Sequence, residues 1–93
     1  MTGPQQLTIL VHAALQRAGY SPVASSSSGG YIVAEHKTLL GQSSEVEVSH
    51  VPLSDAPDAH ARAYYSALVA DHALAGLAIQ FVPQPYPKVS IRR

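Results

Sequence analysis

The chain has 93 residues, with six basic and six acidic side chains and a formal net charge of zero, so no overall field draws it to nucleic acid or an anionic membrane. Apolar residues make up 46% and charged residues only 13%, about half the usual charged share, and cysteine is absent, which excludes disulfides, thiolate catalysis and cysteine-ligated zinc. A chain this short fits one domain, residues 1–93, with a modest core that buries about 60–65% of the surface exposed on unfolding. The start, Met1 to Gln6, lacks the basic stretch of a signal peptide, and nothing approaches a membrane-spanning apolar run, so a cytoplasmic location is expected. Abundant Ala, Val and Pro with little Lys is the usage expected of a high-GC bacterial genome or its phages.

Leu7, Leu10, Val11, Ala14, Leu15 and Ala18 recur at three- and four-residue steps and predict a helix from about Pro4 to Ala18. Thr2 with Gln5 can cap its start, Pro4 suits its first turn, and Gly19 suits a left-handed stop. Tyr20 to Ala24 and Tyr31 to His36 read as strands joined by a turn through Ser25–Ser28 and Gly29-Gly30. The serine run lacks the lysine and following helix of a phosphate-binding loop. Lys37 to Ser44 is a connection whose Leu39 and Leu40 either tuck under the sheet or form an exposed contact. Glu45 to Ser49 then alternates, with Val46 and Val48 expected inward and Glu45, Glu47 and Ser49 in water; Glu35 is assigned to the same solvated face.

Ser54 to Asp58 reads as a capped helix start with an early proline and acidic residues at the positive end of the dipole. The helix is expected to run to about Ala75 and stop at Gly76. Leu77, Ile79 and Phe81, then Val89 and Ile91, alternate with polar or small residues and predict two half-buried strands joined through Pro83–Pro87. The expected fold is α+β, in the order α-β-β-β-α-β-β, with a mostly antiparallel sheet and both helices packed on one face. A helix-then-hairpin unit occurs twice, as a pattern rather than as matching residues.

Chemistry-bearing side chains are scattered on this reading. His36 and His50 fall at opposite ends of a hairpin, roughly 15 Å apart at about 3.3 Å per residue. His60 and His72 are turned from each other by about 120° on a helix. No pair of histidines is expected to share a site, and no catalytic, cofactor-binding or metal-ligating residues are assigned. His72 projects into the stripe of Ala61, Tyr64, Tyr65, Leu68, Val69 and Ala75, where it reads as a core histidine bonded to a tyrosine or a carbonyl, or alternatively as a pH-sensitive or metal-responsive element.

Three functions from different classes remain. The preferred one is a small non-enzymatic interaction domain, self-associating as a homodimer or bound to a protein partner. It would use the charge-poor helical strip of Ala59, Ala63, Ala67 and Ala70 together with Ile9, a strip that is otherwise ordinary solvent-facing alanine. The second is a nucleic-acid-binding regulator using Lys88, Arg92 and Arg93, with Arg17 and Lys37 able to join them. The third is a metal- or pH-responsive module built on His72 and another histidine.

Overall fold

Leu7, Val11, Ala14 and Leu15 are all buried, and this apolar face defines the first helix, α1, Leu7–Arg17. The computed structural model describes residues 7–25, 28–37 and 43–93. The capping role expected of Thr2, Pro4 and Gln5 and the placement of Leu39 and Leu40 lie outside these residues. Gly19 stops α1 as its lack of Cβ allows, at φ +96°, with Gly19 N–H donating to Gln16 O and Tyr20 N–H to Leu15 O, both at 3.0 Å.

The strand expected over Tyr20 to Ala24 does not form. Pro22 makes one isolated parallel bridge to Tyr31, and Val23–Ser25 is a single 3-10 turn. Proline brings no N–H to a ladder, and the chain instead passes so close to Gly30 that a Cβ there would strike the Ser21 carbonyl oxygen. The element order is therefore α-β-β-α-β-β, one strand fewer than expected.

Four strands follow that order: β1, Gly30–Lys37; β2, Ser43–Val51; β3, Ala78–Val82; and β4, Lys88–Arg92. They align as β1-β2-β4-β3 with every pairing antiparallel. Exchanging the first hairpin for the second maps this order onto itself reversed, so the two helix-then-hairpin units meet at the central β2–β4 pair. Val46 and Val48 on β2 and Val89 and Ile91 on β4 point inward and are fully buried. Each such side chain contributes about 1.5–3 kcal/mol of transfer free energy when its exposure is removed.

The second helix, α2, spans Pro57–Ala70, and both helices cover the same side of the sheet, α1 over β1 and β2 and α2 over β2, β4 and β3. Their inward residues close one core with Tyr31, Tyr64, Leu68 and Leu74. No helix of the described residues is long and apolar enough to cross a membrane.

Two expectations about α2 fail. Its start has no capping side chain: Ala56 occupies the N-cap position at φ 44°, ψ 58°, and Pro57 opens the first turn. Its end comes at Ala70 instead of near Ala75, because Asp71 turns extended (φ −84°, ψ 123°) and its carboxylate accepts the Ala73 N–H at 2.9 Å. The same carboxylate takes a two-pronged ion pair from Arg17, whose closest contact is 2.9 Å. A short 3-10 turn, His72–Leu74, follows before Gly76 reverses the chain at φ +91°.

Among the described residues no helix covers the other face of the sheet, which is organised by charge. Glu45 accepts a hydrogen bond from Ser90 Oγ at 2.6 Å, and Glu47 lies 3.4 Å from Lys88 Nζ and 3.5 Å from His36 Nε2. Glu35 is not part of this face. Its register partner is Val46, which puts it on the helix-covered side.

Candidate functional site

Among the described residues, a cluster of polar and aromatic side chains lies where β2 passes into α2. His50, near the end of β2, follows Val46 and Val48 on the inward side by the two-residue period and is only 4% exposed. Its Nδ1 is 2.7 Å from the Tyr64 hydroxyl, and its Nε2 is 3.1 Å from Asp55 Oδ2. His60, in the first turn of α2, lays its ring on that of His50 with centroids 3.7 Å apart and planes 11° from parallel. His60 Nε2 reaches the same Asp55 oxygen at 3.5 Å.

The connection between β2 and α2 is shaped to make this possible. Asp55 N–H donates to Pro52 O at 3.2 Å, closing a turn, and Ala56 then takes the left-handed conformation. That conformation costs an L-residue roughly 1–2 kcal/mol. It leaves the Asp55 carboxylate away from the helix end and directed at the imidazoles. Asp58, the other acidic residue expected to serve the helix start, pairs with Arg62 one turn later at 2.8 Å.

The cluster continues inward as a run of rings. Tyr64 meets Tyr20 edge-on at 5.0 Å and Tyr31 at 6.1 Å, and the Tyr31 hydroxyl lies 3.0 Å from His12 Nδ1. Burial, then the charges of Tyr20, Asp55 and Tyr31, push the Tyr64 phenol up to about 12, so it keeps its proton at neutral pH. A protonated phenol can donate to His50 Nδ1 or accept from it, and so serves either tautomer of the imidazole. Burial also raises the Tyr31 phenol, against a lowering hydrogen bond with Gln16.

His50, Asp55 and His60 each place one donor atom within 4.8 Å of the others. The expectation that no two histidines share a site is thereby overturned. His36 and His50 belong to one hairpin and His72 follows the helix that carries His60, whereas the pair that meets, His50 with His60, straddles a strand-to-helix junction. The spacing His50-x4-Asp55-x4-His60 was the available signal.

His72 does not enter the core. With α2 ended at Ala70, it sits exposed on the following turn, and Leu74 takes the buried place. Val69, assigned to the same stripe, is 54% exposed. A core histidine bonded to a tyrosine does exist in this protein, but it is His50.

A second feature lies between the helices, a groove of about 540 Å³ walled by Ala14 of α1, by Ala18 just past its end, and by Ala67, Ala70, His72 and Ala73, with the Arg17–Asp71 pair beside them. Ala67 and Ala70 of the expected strip line it. Ile9, Ala59 and Ala63 do not, so the strip and the isoleucine do not form one surface with the groove; Ile9 is 55% exposed and Ala59 is also exposed. Of the expected basic cluster, Lys88 is drawn to Glu47 and lies 4.9 Å from the Tyr86 ring centroid, Arg92 and Arg93 are exposed, and Arg17 is engaged by Asp71. The side chain of Lys37 lies outside the described residues. Compared with known proteins, the chain matches no protein family, no curated protein and no solved structure.

Proposed function

We propose that this protein acts by contact rather than by chemistry, as a small non-enzymatic interaction module that pairs with a second copy of itself through the groove between α1 and α2. The observation that carries this reading is the groove wall: five alanines, His72 and one internally neutralised ion pair leave a mostly apolar groove open to a neighbouring helix face. Small side chains let helix backbones approach closely, which enlarges dispersion contact along the whole face.

Two properties favour a second copy as the occupant. A chain of zero net charge has no global repulsion against itself. Ala70, exposed on α2 and lining the groove, suits a two-fold contact in which each protomer presents a small apolar side chain to the other.

Sedimentation equilibrium over a range of concentrations is expected to give a dimer. Ala70→Arg, at an exposed helical position, is expected to give a monomer with an unchanged circular dichroism spectrum. A wild-type chain that stays monomeric at high concentration overturns the reading, and a dimer indifferent to Ala70→Arg removes the groove from it.

A further inference from the structure

We propose that His50, Asp55 and His60 form a binding site for a divalent transition-metal ion of the zinc type. The donor set is the first reason: two imidazole nitrogens with one carboxylate oxygen suit zinc and its neighbours, whereas calcium and magnesium take oxygen donors almost throughout. Spacing is the second. Asp55 Oδ2 lies 3.1 Å from His50 Nε2 and 3.5 Å from His60 Nε2. Donors held about 2.0–2.2 Å from a tetrahedral ion stand roughly 3.3–3.5 Å from one another.

The surroundings of His50 supply a third reason. Its buried ring is fixed by the Tyr64 hydroxyl at Nδ1, and when Nδ1–H donates to that oxygen the Nε2 lone pair faces Asp55 and His60. Metal-ligating histidines are commonly held by such a bond from the second nitrogen, which sets tautomer and orientation. Gly29 leaves the flank of Nε2 clear: a Cβ there would stand 3.6 Å from that nitrogen, and 2.7 Å from the Val51 carbonyl oxygen.

Access and motion are built in unequally. The side chain of His50 is 5% exposed, that of His60 38% and that of Asp55 53%, so one ligand is anchored and two face solvent. One ion cannot lie in the planes of two parallel stacked rings. His60 is the ring with room to swing, and opening the stack lets its Nε2 and that of His50 converge. Three protein donors leave the fourth position of a tetrahedral ion to water or to a donor from another molecule.

This site stands independently of the groove and its occupant. Titration calorimetry of the metal-free chain with zinc chloride is expected to show one ion per chain, and added zinc is expected to raise the melting temperature in step with its concentration. Asp55→Asn and His60→Ala, both at solvent-facing positions, should each weaken binding at least roughly tenfold, as losses around metal sites commonly do. His36→Ala and His72→Ala should bind as wild type, and the Ala70→Arg chain should bind zinc too. Cobalt substitution should produce the visible absorption of a four-coordinate ion, lost in His60→Ala. No heat and no melting shift with zinc overturn the proposal, as does binding that survives His60→Ala or depends on His36 or His72. In that case, the three side chains are a hydrogen-bonded support for the turn alone.

Discussion

Over its first half, α2 is fastened by stacked rings and a hydrogen bond to a buried histidine, while just past its last residue it is fastened among alanines by an ion pair to an exposed arginine. The two ends do comparable geometric work, since one fixes how α2 leaves β2 and the other fixes where it stops against α1. They differ in what surrounds the polar groups. A hydrogen bond under the core has no water to replace it when one partner is removed, whereas the Arg17 side chain, 53% exposed, regains water at once. The lesson is that the buried end determines stability and the open end determines only position.

The largest expected effect sharpens this contrast. Tyr64→Phe keeps the ring contacts but leaves buried His50 Nδ1 without its partner, and should cost about 2 kcal/mol in urea denaturation at neutral pH. Its pH dependence has a definite sign. The folded phenol titrates near 12 and the unfolded one near 10.0, so above the lower value the unfolded chain binds fewer protons and wild-type stability falls as pH rises. The gap between wild type and Tyr64→Phe should therefore narrow across that alkaline window. A gap no larger than that of Arg17→Ala would erase the difference between the ends.

Arg17→Ala should cost less than about 1 kcal/mol, because exposed ion pairs contribute little. The Arg17 hydrogen bonds, with help from the Ala73 N–H, hold the Asp71 carboxyl below the usual carboxylate range. A lowered folded value stabilises the protein above the unfolded value of 3.8 and is lost as pH falls through the folded one. Acid titrations of stability should thus be shallower for Arg17→Ala than for wild type.

The smallest effect should have the opposite sign. Ala56→Gly relieves the left-handed alanine at the head of α2 but gives the unfolded chain more freedom, and should stabilise by about 0.5 kcal/mol. Loss of stability would mean that the Ala56 methyl group supports the turn by packing, which would shift part of the fastening from the rings to the backbone bend.

Much of the fold was legible in the residues themselves. The spacing of Leu7, Val11, Ala14 and Leu15, the stop at Gly19, and the alternation of Val46 with Val48 and Val89 with Ile91 all concern neighbours a few positions apart. Local sterics and the burial of one face are sufficient to specify them. The site was a different matter. The end of α2 was decided by Arg17 gripping Asp71 from another helix, 54 positions away in the chain, which also carried His72 out of the core. The meeting of His50 with His60 depended on a left-handed residue folding a strand end back over a helix start. Periodicity describes one element at a time, so contacts made across a junction or between distant elements were determined only when the tertiary structure closed.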